Sequence, residues 1–467
     1  MNVTVHPGTL TGRVVIPASK SHTIRALLIA ALADGRSTIT GALDSEDTQA
    51  CIRILRGLGT EIETVPSGGG LQADDLRPGS ARSTGSLDII VQGTGGRFRE
   101  PDAPLDCANS GTTLYLALSV AALQPFSVTF TGDDQLQRRS AGPLLRALES
   151  MGATVTRADP TSGPVDCVPL TITGPIRGGA LTIECPTSQY LSSLLLAAPL
   201  TERGMEITVP LLNERPYVDL TLSWLDRQGV AYERTEYERF VVGGGRAYET
   251  FSRRVPGDFS SATFFVAAAA ATGSTLRLDG LDMNDSQGDR AVVAIAKELG
   301  CRVTIEPDSI TVTGPSNRGG AGGRADGNGR GAEAIAPLAG GEFDLNAIPD
   351  ALPALAVLGT LCREPLRLVN VPQARQKETD RIAVMAKVIT SLGGKATELP
   401  DGLVVEPGRL RGGAADSAGD HRVAMALAVA GLAADGPVTV ENAGVAAITF
   451  PGFYEMLASV GAEVDRS

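Results

Sequence analysis

The sequence predicts an α/β protein of two domains, built from six repeated units with three units in each domain. One observation is an Ala/Leu-rich segment, apolar on every side, that recurs six times along the chain. The other is a two-sided amphipathic segment that follows each of them and ends in glycine. A helix that is apolar all round belongs inside a core, whereas a two-sided helix covers a sheet. Short strand-like runs between such helices are typical of layered α/β folds.

The first apolar helix is predicted over Arg25–Leu32, with Asp34-Gly35 closing it. Ser19 and Ser21 precede it, and a serine ahead of an apolar helical run indicates an N-cap. The first turn of a helix presents unpaired backbone N–H groups and the positive end of its dipole. Lys20 and Arg25 add full positive charges, so the pattern predicts an anion-binding site.

Five further apolar helices follow small polar or charged residues in the same way. They are predicted over Thr112–Leu123, Gln189–Ala198, Ala262–Ala271, Asp350–Leu358 and His421–Gly431. Because repeated units place equivalent ends on one side of a domain, these polar helix starts are expected to gather there.

The amphipathic helices end at Leu58-Gly59, Met151-Gly152, Gln228-Gly229, Leu299-Gly300, Leu392-Gly393 and Val460-Gly461. The densest charged motif, Arg375–Arg381, opens one of them. As a helix start it predicts that Lys377 and Arg381 form an i,i+4 pair on one face, with Glu378 in the same turn. Taken alone, the motif is better explained as a solvated first turn with salt links.

The length, hydropathy, cysteine count and net charge of the chain argue against several classes of partner. A chain of 467 residues is too long for one ordinary core. Its mean hydropathy of +0.06, with no apolar run of membrane length and no leader-like start, predicts a cytoplasmic protein without a membrane partner. Six scattered cysteines and three histidines argue against a structural metal site. The net charge of −12 argues against nucleic-acid binding.

The negative net charge does not exclude an anionic ligand. A lysine about 4 Å from a phosphate contributes roughly 4 kcal/mol at an effective dielectric near 20. Surface charges more than about 10 Å away are largely screened. The local cations at the helix starts therefore outweigh the overall charge.

Two Gly-rich segments, 67–86 and 315–341, are predicted to be flexible loop insertions. The competing interpretation, a phosphate-cradling loop, requires a helix directly after the glycines. Neither segment has such a helix, so the surface-loop interpretation is favoured.

The order of the motifs along the chain resembles the enolpyruvyl transferase family, and within it the branch that acts on shikimate 3-phosphate. The motifs are Ser19-Lys-Ser21 with Arg25, Leu43–Thr48, Asn109–Thr112, Thr131-Gly-Asp133, Ser188-Gln189, Arg215-Pro-Tyr217, Gly257–Ser261, Ile348-Pro-Asp350, Lys377–Arg381, Asp420-His-Arg422 and Thr449-Phe-Pro451. Each is weak alone, but their order and spacing over nearly the whole chain are specific.

The resemblance implies a two-domain inverted α/β barrel-like fold with six βαβαββ repeats, three per domain. One discontinuous domain would comprise residues 1–17 and 257–467, and the other residues 18–256. The two domains would close over the substrates.

The implied reaction transfers the carboxyvinyl group of phosphoenolpyruvate to the 5-hydroxyl of shikimate 3-phosphate and releases phosphate. It needs no metal and no organic cofactor. These two small molecules are then the only partners implied, and we expect a monomer.

The resemblance also assigns roles to residues. Asp350 is the expected base for the hydroxyl, and Glu378, with Lys20, is the expected acid for the alkene carbon. Shikimate 3-phosphate is expected to bind Lys20, Ser21, Arg25, Thr187, Ser188, Gln189, Tyr217, Asp350, Gln373 and Lys377. Phosphoenolpyruvate is expected to bind Lys20, Asn109, Gly111, Gln189, Arg381 and Arg422. The arginines and lysines suit two phosphates and two carboxylates.

Four positions depart from the family pattern at places that normally touch a ligand. Gln135 and Tyr115 each stand where the family has arginine, Ile448 where it has lysine, and Glu214 where it has serine. A glutamate against a phosphate costs a few kcal/mol by the arithmetic that favours lysine. Arg138 or Arg139 is available to replace the arginine missing at Gln135.

These departures leave alternatives open. One is a related enolpyruvyl transferase that acts on another hydroxylated anion, and another is a binding protein of the same fold without turnover. The UDP-sugar enolpyruvyl transferases and RNA 3′-phosphate cyclases share the architecture but fit the motifs less well. In particular, no reactive-cysteine loop is present, since Cys107 ends a strand and is expected to be buried. A scaffold role would leave the coexistence of Asp350, Glu378 and the cationic helix starts unexplained.

Overall fold

The structure, a computed structural model, describes residues 1–67, 85–157, 166–317, 334–335 and 337–467. The insertions predicted at 67–86 and 315–341 lie largely outside these residues. None of the helices in the described ranges combines the length and apolar composition that a bilayer crossing requires.

Helices and strands alternate through the described ranges. The α-helices are α1 Lys20–Leu32, α2 Glu46–Gly57, α3 Gly111–Ala121, α4 Gly142–Ser150, α5 Ser188–Ala197, α6 Arg215–Arg227, α7 Phe259–Thr272, α8 Val292–Glu298, α9 Leu352–Gly359, α10 Arg381–Ser391, α11 His421–Ala433 and α12 Phe453–Ser459. The strands are β1 Val3–Val5, β2 Thr11–Val15, β3 Asp34–Leu43, β4 Glu61–Pro66, β5 Ser86–Thr94, β6 Leu105–Asp106, β7 Ser127–Thr131, β8 Thr154–Arg157, β9 Leu170–Thr173, β10 Gly179–Cys185, β11 Met205–Leu212, β12 Tyr232–Thr235, β13 Arg239–Val242, β14 Ser252–Arg254, β15 Thr275–Asp279, β16 Arg302–Glu306, β17 Ser309–Thr313, β18 Ser316–Asn317, β19 Ala334–Ile335, β20 Gly341–Asp344, β21 Leu366–Val369, β22 Lys395–Leu399, β23 Gly402–Glu406, β24 Gly413–Asp416, β25 Val438–Glu441 and β26 Val464–Arg466.

Six four-stranded sheets in these ranges share one topology. Their strand orders are β14-β3-β5-β4, β6-β7-β9-β8, β10-β11-β13-β12, β16-β17-β15-β2, β20-β21-β23-β22 and β24-β25-β1-β26. In each sheet one edge pair is parallel and the other two pairs are antiparallel. A parallel pair needs a crossover, and in the sheet of β10 and β11 the buried helix α5 supplies it. The six βαβαββ repeats are confirmed.

The chain forms two compact units. Unit 1 comprises Met1–Pro17 and Gly257–Ser467, and unit 2 comprises Ala18–Pro256. The chain passes from one unit to the other twice, and at each passage the last strand stays in the sheet of the unit that the chain is leaving. β2 precedes α1 in the chain but pairs with β15 of unit 1, whereas β14 precedes α7 but pairs with β3 of unit 2.

Each unit encloses its own apolar core around three inner helices. In unit 1 these are α7, α9 and α11, which pack on one another, and in unit 2 they are α1, α3 and α5. All 14 residues of α7 are buried, as its all-round apolar sequence predicts.

The predicted starts of α1, α7 and α9 and the predicted C-cap of α1 are wrong. α1 begins at Lys20, earlier than the predicted Arg25, and ends at Leu32 as predicted. It then runs through an extended Ala33 into β3, so Gly35 is a strand residue and caps nothing. α7 begins at Phe259, earlier than predicted, because the Asp258 side chain accepts from Ser260 N and caps it. Asp350 lies in a 3₁₀ turn before α9, because Pro353 lacks the N–H that an α-helical bond to Pro349 would need.

The predicted i,i+4 pair of Lys377 and Arg381 is also wrong. Lys377 has an extended backbone after the 3₁₀ turn Pro372–Gln376, and α10 begins only at Arg381. Asp380 stops the helix from starting earlier, because its side chain accepts from Ala383 N at 3.0 Å and acts as the N-cap.

Glycines let the inner helices approach the sheets. A Cβ built on Gly93, Gly174 or Gly314 would lie 2.0–2.2 Å from a backbone carbonyl oxygen within or directly after an inner helix, that of Ala33, Ala122 or Ala269. No side chain fits at such distances without displacing the backbone.

Gly314→Ala is expected to destabilise the protein by about 1–3 kcal/mol, because the new methyl group would lie 2.2 Å from Ala269 O. Gly408→Ala is the matched control, since its Cβ would meet nothing within 4 Å. The control should stay within about 1 kcal/mol of wild type. Urea denaturation of both variants checks this, and equal midpoints would contradict the close-approach argument.

Candidate active site

The polar ends of four helices of unit 1 meet in one cluster of charges. We call Asp350, Glu378, Arg381, Asp420 and Arg422 the carboxylate–arginine cluster. Asp350 lies in the turn before α9, Arg381 begins α10, and Asp420 and Arg422 lie at the start of α11. From α7, Ser260 Oγ donates to Asp350 Oδ2 at 3.1 Å.

Arg381 lies at the centre of this cluster, with a side chain only 1% exposed. Its Nε donates to Asp420 Oδ2 at 2.8 Å. Its Nη1 donates to Asp350 Oδ1 and its Nη2 to Glu378 Oε2, both at 2.7 Å. Burial alone lowers the pKa of Arg381, but the three carboxylates outweigh burial and hold that pKa well above its usual value.

Asp420 serves both the helix and the cluster. Its Oδ1 accepts from Arg422 N at 2.7 Å and from Val423 N at 3.3 Å, which caps α11. It is fully buried, and burial raises its pKa although the bond to Arg381 opposes that rise.

Arg422 is a buried cation with spare donors. Its Nη2 donates to Asp350 Oδ2 at 3.3 Å, and its guanidinium lies 5.7 Å from the Phe264 ring centroid. Its Nε and Nη1 are buried and have no hydrogen-bond partner among the described residues. Buried guanidinium donors are normally satisfied, so these two are suited to an anionic ligand.

Other predicted residues border the cluster. Gln373 is buried, donates through Nε2 to Asn346 O at 3.0 Å, and keeps an Oε1 that accepts nothing within the described ranges. Glu378, Asp420 and His421 have ligand atoms within 4.8 Å of one another and could hold a metal ion by geometry. Two of these three already bond Arg381, whose positive charge takes the place of such an ion.

In unit 2, Lys20 begins α1 and its Nζ lies 2.9 Å from Asp47 Oδ2 in the first turn of α2. Both side chains are largely buried, at 15% and 6% exposed. Asp47 therefore fixes the position of the Lys20 ammonium group. This pairing was not predicted, although Ser45 followed by two acidic residues indicates a helix start.

Arg25 is fully buried between α1, α5 and α6. Its Nε donates to Thr221 Oγ1 at 2.8 Å, and its Nη2 donates to Ser192 Oγ and Tyr217 O at 3.2 Å. Its Nη1 donates to Ser21 O at 3.1 Å. Burial lowers the pKa of Arg25 to about 10. Its hydrogen-bond partners among the described residues are hydroxyls and backbone carbonyls rather than carboxylates, so its charge suits an anionic ligand.

Thr187, Ser188 and Gln189 start α5 and form an anion site. Its donors are Thr187 Oγ1, Ser188 N and Ser188 Oγ, and all three donate to Glu214 Oε2, at 3.1, 3.2 and 3.0 Å. Gln189 Nε2 donates to Thr187 Oγ1, while Gln189 Oε1 is buried and has no hydrogen-bond partner in the described structure.

Asn109 and Gly111 lie at the start of α3 beside Arg139. Asn109 Oδ1 accepts from Arg139 Nη2 at 2.9 Å, and Asn109 Nδ2 donates to Gln135 Oε1 at 2.7 Å. A Cβ on Gly111 would lie 3.1 Å from Arg139 Nη1. Arg138 is exposed and its Nε donates to Asp134 O. Of the two candidate replacements for an arginine at Gln135, Arg139 is the one beside Asn109.

Two other departures from the family pattern have ordinary packing. Tyr115 is buried edge-on against Tyr190 at 5.1 Å, and both hydroxyls donate to Ser140 O. Ile448 ends a 3₁₀ turn before the buried Thr449. Cys107 is buried, as predicted.

Each unit has a cluster of its own: the carboxylate–arginine cluster in unit 1, and in unit 2 the polar helix starts around Lys20, Arg25, Asn109 and Ser188. Unit 1 gathers carboxylates that can exchange protons around two buried arginines, and unit 2 gathers donors and cations that can hold anions. The unit 1 cluster is therefore suited to proton transfer, and the unit 2 cluster is suited to anion binding.

Comparison with known proteins gives a full-length match. The family model for EPSP synthase (3-phosphoshikimate 1-carboxyvinyltransferase) matches residues 5–73 and 76–457. The 3-phosphoshikimate 1-carboxyvinyltransferase of Acetivibrio thermocellus is 41% identical over 466 residues, which cover 99% of each chain. That of Halobacterium salinarum is 38% identical over 474 residues and all of both chains.

Solved structures agree with this match. EPSP synthase from Acinetobacter baumannii superposes with a TM-score of 0.76 and 26% identity over all of both chains. The enolpyruvyl transferase NikO from Streptomyces tendae has a TM-score of 0.74, over 100% of this chain and 98% of that one. At 18% identity, the likeness to NikO concerns the fold alone.

Proposed function

The chain belongs to the EPSP synthase (3-phosphoshikimate 1-carboxyvinyltransferase) family, and we propose that the two clusters carry out the reaction of that family. The enzyme transfers the carboxyvinyl group of phosphoenolpyruvate to the 5-hydroxyl of shikimate 3-phosphate and releases phosphate. The hydroxyl must lose a proton and the alkene carbon must gain one. That carbon must then lose a proton again as phosphate leaves, because the product retains the double bond.

The observation that carries the assignment is the buried Arg422. Its two spare donors and its bond to Asp350 place an anion-binding group beside a carboxylate that can accept a proton. This is what a reaction between an anionic enol ester and an alcohol requires.

In unit 1 we assign Asp350 as the base for the 5-hydroxyl and Glu378 as the acid for the alkene carbon. Arg381 bonds both carboxylates at 2.7 Å and thereby fixes their orientation. Arg381 and Arg422 are assigned to phosphoenolpyruvate. Gln373 and Lys377 are assigned to shikimate 3-phosphate.

In unit 2 we assign the shikimate 3-phosphate contacts to Ser21, Arg25, Tyr217 and the anion site of Thr187, Ser188 and Gln189. Arg25 is buried and has no carboxylate partner among the described residues, which supports a ligand carboxylate or phosphate beside it. Lys20, held by Asp47, is assigned to both substrates and to proton transfer with Glu378. Asn109, Gly111 and Gln189 are assigned to phosphoenolpyruvate.

Arg139 is assigned the role of the arginine that the family pattern places at Gln135. Its guanidinium bonds Asn109 and borders Gly111, two of the assigned phosphoenolpyruvate residues. Gln135 Oε1 then accepts a hydrogen bond from Asn109 Nδ2.

Arg139→Leu is expected to raise the KM for phosphoenolpyruvate by about 10- to 100-fold, because one charge-assisted contact with the substrate is lost. The KM for shikimate 3-phosphate should change little. Arg138→Leu is the matched control, since its side chain is exposed and, among the described residues, bonds a backbone carbonyl within its own turn. If both variants retain wild-type KM values, Arg139 has no such role.

The test of the function is phosphate release from purified protein mixed with phosphoenolpyruvate and shikimate 3-phosphate. Release that needs both compounds is the expected result, and omission of either should abolish it. Binding of both without release would contradict the assignment of an active enzyme. A monomeric state and a cytoplasmic location stay predictions from the sequence.

A further inference from the structure

The anion site at the start of α5 already contains a carboxylate of the protein. Glu214 is only 1% exposed, and its Oε2 accepts from Thr187 Oγ1, Ser188 Oγ and Ser188 N at 3.0–3.2 Å. A backbone N–H at a helix N-terminus together with two hydroxyls is the donor set that proteins offer to phosphate groups.

Glu214 is also unusual in its backbone conformation. It has a left-handed φ of 57° at the start of α6. Three other repeats have a left-handed residue between the corresponding strand and helix, and there it is Gly280, Asn370 or Asn442. Glycine and asparagine tolerate this conformation, whereas a longer side chain is uncommon in it. Backbone geometry therefore does not account for a glutamate at this position.

We propose that the Glu214 carboxylate is an internal occupant of the site that receives the phosphate of shikimate 3-phosphate, and that the substrate must displace it. This inference rests on the proposed function, which assigns Thr187 and Ser188 to that substrate. Glu214 is then a specificity-determining residue that sets the affinity for the phosphate group.

Two effects of Glu214 oppose phosphate binding. The three donors bonded to Oε2 cannot all serve a phosphate oxygen at the same time. A carboxylate and a phosphate that share one site also repel each other. Removal of the glutamate is expected to tighten shikimate 3-phosphate binding by about tenfold or more.

The experiment uses calorimetry on the full chain with two ligands that differ only in the phosphate, shikimate 3-phosphate and shikimate. Glu214→Asn removes the carboxylate and introduces the residue found at 370 and 442. Glu214→Gln keeps the length and one acceptor oxygen but no charge, so it remains informative where the asparagine variant folds poorly. We expect both variants to bind shikimate 3-phosphate more tightly than wild type, with asparagine giving the larger gain. Their affinity for shikimate should stay within about twofold.

A purely structural Glu214 predicts the opposite pattern, because loss of its bonds would weaken both ligands alike. Variants that bind shikimate 3-phosphate no more tightly than wild type, in a protein that still releases phosphate, would overturn the inference alone. An equal gain in affinity for shikimate, which has no phosphate, would overturn the inference as well. A wild-type protein that neither binds shikimate 3-phosphate nor releases phosphate contradicts the proposed function instead.

Discussion

Asp350→Asn is expected to lower the rate of phosphate release by about 10²- to 10⁴-fold, the range that a general base contributes. Asparagine keeps the shape and one acceptor oxygen for Arg381, but it cannot take the proton of the 5-hydroxyl. The effect should lie in kcat, with the KM for phosphoenolpyruvate changed much less. Steady-state assays of phosphate release with each substrate varied in turn measure both parameters.

The control for this variant is Asp435→Asn. Asp435 is 45% exposed and pairs with the exposed Arg409, so its loss should leave activity unchanged. Thermal unfolding of both variants separates a catalytic loss from a loss of folding. A folded Asp350→Asn protein with a kcat near that of wild type would contradict the assignment of Asp350 as the base.

Arg381→Met is expected to give the largest loss of stability, about 3–5 kcal/mol, and no measurable turnover. The three carboxylates around Arg381 would lose the cation that holds them together, and uncompensated buried charges are strongly unfavourable. For a unit of this size, such a loss corresponds to a fall in Tm of about 6–20 °C. Differential scanning calorimetry measures it.

Arg375→Met is the matched control, because Arg375 also contacts two carboxylates, Asp380 and Glu398, but at a more exposed position. Its replacement should change the free energy of unfolding by no more than about 1 kcal/mol. Similar Tm values for the two variants would mean that burial of the carboxylate–arginine cluster carries little free energy. If Arg381→Met is too unstable to purify, Arg381→Lys preserves the charge and allows the comparison.

The inner helices and the repeat pattern were predictable from sequence, because the apolar composition of these segments is enough to determine that they are buried. A segment such as Ala262–Ala271 has no polar side and can lie only inside a core. The helix starts were less predictable. At Asp350 and Arg381 the first turn depends on Pro353 and on the Asp380 cap, and those local effects moved the α-helix away from the predicted position.

The pairings within the site were not predictable, because they join residues far apart in sequence. The pair of Lys20 and Asp47 and the bond between Arg381 and Asp420 depend on how separate helices pack. Glu214 was recognised in the sequence as a departure from the family pattern. That its carboxylate occupies the anion site required coordinates.

The position of β1 has a consequence for synthesis of the chain on the ribosome. β1 lies between β25 and β26, and Thr4 pairs with Thr439 and Asp465. At about 5–20 residues per second, the partners of β1 are translated tens of seconds after it. Unit 2 is continuous in sequence and can fold in that interval, whereas unit 1 must wait for its last sheet. β1 has only three residues and is a short unpaired edge, so it offers little to other chains during the delay.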